Sequence, residues 1–214
     1  MKRLYITAEG QTEEAFALGS LCDHLVDYGV QILCRRVLTK KDKLKSHRGG
    51  ITNYQKAKND IKRWMKEDQS ADVYFITMFD YYALPTSFPG YKEAKQLANP
   101  YDQVALLESK MKADMDDRRF IPYIQLHEFE SLIFSKIEDL EYEYLDRNAE
   151  ILLLQKQLDQ VGGNPELINA GKNTAPSKRI LSLIPEYDKA LAGNEVVNLI
   201  GIEHLKKHCQ HFND

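Results

Sequence analysis

Four short runs rich in β-branched and aromatic residues, separated by stretches of helical periodicity, limit the folds open to this chain. Arg3 to Ala8, Val30 to Leu38, Val73 to Phe79 and Phe120 to Leu126 each have the length of a strand. The third, VYFITMF, is apolar almost throughout, which marks a strand buried on both faces. Between the runs, Thr12–Tyr28, Tyr54–Glu67 and about Tyr101–Met115 repeat their apolar residues at helical spacing. Strands that alternate with helices predict an α/β fold with a mostly parallel four-stranded sheet flanked by helices. Right-handed crossovers then bring the carboxyl ends of the parallel strands to one edge. After Ile137 the strand signals stop, and short helical stretches are broken by Gly162-Gly163, Pro165, Pro176 and Pro185. The expected organisation is an α/β core over 1–136 and a helical extension over 137–214.

Composition narrows the class further. With 214 residues the chain can bury roughly 70% of its unfolded surface without disulfides. Hydrophobic residues make up 43% and charged residues 29%, which is too apolar for disorder. A net charge of -3 excludes a binder of nucleic acid driven by whole-chain charge, so any such surface must be local. Cys22, Cys34 and Cys209 are odd in number and widely spaced, which fits a reducing compartment. The opening MKRLYITAEGQTEE lacks a signal-peptide core, and no stretch reaches the roughly 20 apolar residues of a membrane span. A cytoplasmic protein is expected.

Acids stand where the predicted strands end: Glu9 after LYITA, Asp80 after VYFITMF, and Glu128 with Glu130 after FIPYIQL. Ligands of open α/β sheets bind outside the carboxyl ends of the strands. Carboxylates gathered there repel one another unless a cation lies between them. Oxygen-only donors suit magnesium or manganese, and the simplest chemistry is metal-assisted phosphoryl transfer. Each acid also has a structural alternative. Glu13 and Glu14 can complement a helix dipole, Asp80 can cap a turn, and Glu128 and Glu130 can be first-turn acids of the segment through Phe134. Zinc is not expected. HEFES at 127–131 has Ser131 where HExxH requires its second His, and His204 with His208 has no partner Cys pair.

The segments EGQTEEAF, FDYYALP, PYIQLHEFESLIF, NPELINAGKNTAPSKRI and GIEHLKKHCQHF, in this order, resemble a bacterial family of unknown-function domains of Toprim type. That family includes the effector nuclease of the PARIS anti-phage system, which works with an ABC-type ATPase. The resemblance implies a Toprim sheet and a magnesium- or manganese-dependent nuclease of antiviral defence. Glu9 matches the Toprim general acid/base. Glu13 matches the second acid of the EGxxE motif of the overcoming-lysogenization-defect nucleases and is implied as a metal ligand, as is Asp80, the first acid of DxD. Tyr82 occupies the second acid's place, and a phenol with a free pKa of about 10 is a poor magnesium ligand. Glu128 and Glu130 are the acids available to replace it. Lys178 corresponds to a late Lys of the same sites.

Lys178 also stands out physically. Thr174-Ala175-Pro176 reads as a helix start, and a Lys in the first turn opposes the dipole unless an anion is near. Amides there, with Lys178 and Arg179, would suit a phosphate, the alternative being two solvated cations. From Arg35 to Arg48 seven basic residues face the single acid Asp42, a local charge of +6. Lys40, Lys41, Lys43, Lys45 and Arg48 are the candidate phosphate contacts, or else a solvated loop that blocks edge pairing. The acidic stretch Glu138 to Glu150 suits a protein partner. Expected partners are nucleic acid (RNA or DNA), an ABC-type ATPase and a second copy of the chain, with no membrane. The alternative function is a non-catalytic Toprim-like binding subunit of an ATPase complex.

Overall fold

A computed structural model describes residues 1–37, 51–169 and 174–214, in two units, Met1–Ile124 and Gln125–Asp214. The first unit runs β1 (Lys2–Ala8), α1 (Gln11–Phe16), α2 (Cys22–Val26), β2 (Val30–Arg36), α3 (Tyr54–Glu67), β3 (Val73–Asp80), α4 (Tyr91–Ala94), α5 (Pro100–Met115) and β4 (Phe120–Ile121). β5 (Ile124–Gln125) leads into the second unit. The sheet has five strands in the order β2-β1-β3-β4, with β5 also paired to β3. The β1–β2, β1–β3 and β3–β4 pairings are all parallel, and Ala8 lies in register with both Arg36 and Met78. The protein is a mixed α/β fold whose mostly parallel sheet is flanked by helices.

The fourth predicted strand is two. Pro122 has no N–H to give the ladder, so pairing stops after Ile121 and resumes at Ile124. Thr77 bridges the gap, its hydroxyl donating to Tyr123 O and accepting from Tyr123 N, both at 3.0 Å. The predicted helix 12–28 is likewise interrupted. A π turn over Ala17–Leu21 separates α1 from α2, and Gly19 sits there at φ -96°, ψ -108°.

Elsewhere local sequence and structure agree. α3 begins at Asn53, whose side chain accepts from Lys56 N, and it buries Ala57, Ile61, Trp64 and Met65. Trp64 stacks on Tyr5 of β1 at a centroid distance of 4.8 Å. α5 starts with Asn99 as cap and Pro100 in the first turn, and it ends where Asp116 turns left-handed at φ 51°. Ile6, Phe75, Phe79, Leu107, Met111 and Phe120 are fully enclosed around the central strands.

The second unit is helical, as the sequence predicts beyond the core. A 3-10 run, Phe129–Tyr142, precedes α6 (Asn148–Asp159), α7 (Pro176–Leu183), α8 (Ala192–Ile200), α9 (Ile202–His208) and α10 (Gln210–Asn213). Phe129, Leu132, Ile133, Phe134 and Leu140 of that run are buried, and α6 and α8 pack against it. The expected boundary at 136/137 falls inside this run, at Lys136, whose φ -154° and ψ 69° kink it. Buried Glu166 accepts from His211 N at 3.0 Å and Phe212 N at 3.1 Å, tying down α10. His204 and His208 stack 3.9 Å apart, with ring nitrogens 2.9 Å from the carbonyls of Ser135 and His204 respectively. Carbonyl contacts therefore account for both rings. No helix among the described residues is long and apolar enough to cross a membrane.

Candidate functional site

At the carboxyl edge of the sheet, β1 hands over to α1 through Glu9-Gly10. The Glu9 amide donates to Met78 O at 3.0 Å and so extends the β1–β3 ladder by one residue. Its carboxylate turns across the strand ends, where Oε2 accepts the Asp80 amide at 2.9 Å. Glu9 and Asp80 are 9% and 6% exposed, so both acids lie largely outside bulk water. Their union rests on topology. β1 and β3 are adjacent, parallel and in register, so the residues that follow them must meet.

Glu13 is 5% exposed, and its Oε2 accepts the Gly10 amide at 2.7 Å. A side chain on Gly10 would begin 3.1 Å from that oxygen, which accounts for glycine at the turn. The contact is the acid half of a capping box, so Glu13 has a structural duty whatever else it does. Glu14 pairs with Arg36 Nε at 3.0 Å. Tyr82, at the second DxD position, is 47% exposed, while Tyr81 beside it is buried and donates to Gln103.

Carboxylate oxygens without His or Cys form a hard donor set suited to magnesium or manganese. Among the described residues no group of three or more His, Cys, Asp or Glu stands at metal-holding spacing. Magnesium commonly takes only one or two carboxylates and fills its octahedron with water and substrate phosphate.

The acids of the second unit form a different arrangement. His127 precedes them at φ 65°, a left-handed conformation that costs a residue with a Cβ roughly 1–2 kcal/mol. Leu126 before it and Phe129 after it are buried. Glu128 Oε1 accepts the Ser177 amide at 2.5 Å, in the first turn of α7. Glu130 is fully enclosed, and its Oε2 pairs with Lys189 Nζ at 2.7 Å. The same ammonium lies 3.8 Å from Glu128 Oε2. Burial raises the Glu130 carboxyl to about 7, with Lys189 opposing the rise and Glu128 adding to it.

This arrangement answers the question posed by Lys178. The anion that a helix start with an early Lys calls for is supplied by Glu128 itself, on the α7 amide end. Lys178 is half-buried in the first turn of α7. Arg179 donates from Nε to Thr174 O at 2.8 Å and from Nη1 to Gln157 at 2.7 Å, so its guanidinium is held by uncharged oxygens of its own unit. Lys40, Lys41, Lys43, Lys45 and Arg48 lie outside the described residues.

The structure thus unites Glu9 with Asp80, and Glu128 with Glu130. Sequence reasoning missed Lys189 and the left-handed conformation of His127. No spacing rule links Lys189 to a carboxylate 59 residues earlier, although two acids in an apolar stretch were a signal that a cation must be near.

No curated protein and no solved structure matches the chain. The family described as "Domain of unknown function (DUF4276)" matches residues 8–214. Since that match takes in the Glu9–Asp80 edge and the helical unit alike, the chain belongs to the DUF4276 family.

Proposed function

We propose that this protein is a metal-dependent phosphodiesterase, a nuclease of Toprim type acting on RNA or DNA in anti-phage defence. The observation that carries the reading is the Glu9 carboxylate fixed by the Asp80 amide, 2.9 Å away, at the ends of two adjacent parallel strands. Structural capping explains Glu13, but a Glu reaching across to the neighbouring strand end is an arrangement built at the ligand edge of the fold. Magnesium or manganese bound there would polarise a phosphate oxygen and lower the pKa of a coordinated water. In this reading Glu9, oriented by the Asp80 amide, would act as general base, and the carboxylates of Asp80 and Glu13 would hold the ion.

β2 runs parallel beside β1, and Val37 N donates to Ala8 O at 2.9 Å. In this reading the lysines of the basic sequence Lys40–Arg48, outside the described residues, neutralise the phosphodiester that the acids would otherwise repel. An ABC-type ATPase supplies the activating signal in the cytoplasm.

Tyr82, 47% exposed where a second Asp would stand, favours one other reading, a binding subunit whose site no longer turns over. A manganese titration followed by thermal unfolding separates the two. The nuclease reading expects saturable stabilisation that Asp80→Asn and Glu9→Gln remove. A flat response in the wild-type chain returns the protein to the binding class.

A further inference from the structure

We propose that Tyr82 is the platform on which an unpaired base of the substrate stacks, so that the sheet edge takes single-stranded nucleic acid in preference to duplex. The inference deepens the nuclease reading and rests on it only in placing nucleic acid at the Glu9–Asp80 edge. It holds whether or not that site turns over.

Position is the first ground. Asp80 ends β3, and the chain passes at once into a 3-10 turn, Tyr81–Ala83, at the carboxyl edge of the sheet. Tyr82 stands two residues from Asp80, a span of at most about 7 Å. The turn is held on both sides. Tyr81 is buried and donates its hydroxyl hydrogen to Gln103 Oε1, while Leu84 is buried and its amide donates to Tyr81 O at 3.4 Å. Gln103 is fixed in its turn, since Nε2 donates to Leu97 O at 2.6 Å. Between these anchors the Tyr82 ring is 47% exposed, and no hydrogen bond or ring contact among the described residues engages it. Exposed aromatic side chains scattered over a surface call for no explanation. A ring on a pinned backbone beside two buried acids is different, because only two side-chain torsions remain to be ordered when something binds it.

Charge and chemistry name the occupant. Lys95 Nζ lies 4.2 Å from the Tyr81 ring centroid and 5.3 Å from that of Tyr91, so an ammonium stands beside the turn. Glu93, the acid of α4, is already paired with Lys110 at 2.8 Å. The surface next to the acids therefore offers a polyanion a cation and a flat ring. A base stacks on such a ring only when its own face is free, which is the state of a loop or a single strand and not of a duplex. Every base has such a face, so the platform selects strandedness and not sequence or sugar.

The test measures binding of fluorescein-labelled single-stranded RNA, single-stranded DNA and blunt duplex DNA to the full chain by anisotropy, at low salt and in chelator. Cleavage does not enter without metal, so failure of the nuclease reading and failure of this inference remain separate. The wild type should bind both single strands more tightly than the duplex. Tyr82→Ala should weaken single-strand binding by about tenfold or more and leave duplex binding within about twofold. Tyr82→Phe and Tyr82→Trp keep the ring and should keep the affinity. The slope of affinity against salt should match the wild type in each variant, because no phosphate contact is lost. Any of four results overturns the inference: a wild type that binds no single strand or prefers the duplex, a Tyr82→Ala chain that binds single strands as the wild type does, an equal loss for single strand and duplex, or a Tyr82→Phe chain as weak as Tyr82→Ala.

Discussion

Replacing Glu130 by Gln should favour stability progressively more as pH rises. Burial raises the Glu130 carboxyl from 4.5 to about 7 in the folded chain. At 1.36 kcal/mol for each tenfold change in proton affinity, that rise amounts to about 3 kcal/mol. Because the folded state holds this proton more tightly, Glu130 contributes its full stability below about pH 4.5 and loses it progressively as pH climbs through about 7. Gln has the same shape, carries no charge and still offers Lys189 an oxygen. The ammonium left behind is 42% exposed and can remain hydrated. Urea unfolding of both chains in chelator-treated buffer, at a series of pH values from roughly 4 to 8, measures the difference directly. The Gln variant should gain on the wild type by about 3 kcal/mol across that range. A difference that stays constant with pH would show that Glu130 remains ionised throughout, with Lys189 fully offsetting its burial. A drift in favour of the wild type would refute the reasoning outright.

Three other outcomes follow from local geometry and charge. Asp116 is exposed and closes α5 at φ 51°, so Asp116→Gly should stabilise the chain by about 0.5–1 kcal/mol in urea melts. Glu166→Ala removes the acceptor of two amide bonds from a fully buried position and should cost about 3–5 kcal/mol. Glu166→Gln should recover about half of that in the same thermal scan, since one oxygen remains. Changing Lys40, Lys41, Lys43 and Lys45 together to Ala should weaken nucleic-acid binding and flatten its salt dependence, by close to one unit of slope for each phosphate no longer neutralised.

Elements whose local chemistry agrees with their packing were legible from sequence. Tyr54–Glu67 has the bounds that its periodicity predicts because Asn53 caps it and its apolar stripe meets Tyr5 and Phe75. Val73–Phe79 reads as a central strand because its run is short, apolar and rich in β-branched and aromatic residues. Legibility failed where a single residue acts against its neighbours. Pro122 splits an apolar run that otherwise reads as one strand, and Gly19 opens a π turn in a stretch with sound helical spacing.

At the site, Glu9 and Asp80 could be paired from sequence because strand ends meet by topology. Glu128 and Lys189 could not. The acid caps α7 from 49 residues away, and the lysine reaches Glu130 across 59. Such pairings depend on how helices without a fixed register pack together.

The central claim is that Glu9 and Asp80 support metal-dependent cleavage of a phosphodiester. The measurement that tests it most directly is cleavage of mixed transfer RNA and DNA by the wild-type, Glu9→Gln and Asp80→Asn chains, side by side. Each is assayed with magnesium, with manganese and with chelator, in the presence and absence of an ABC-type ATPase. The account predicts cleavage by the wild type that requires the metal, falling by about a hundredfold or more in either variant while both remain folded. Cleavage that survives chelator or persists in Glu9→Gln would contradict it, as would a wild-type chain that cuts neither nucleic acid with the ATPase present.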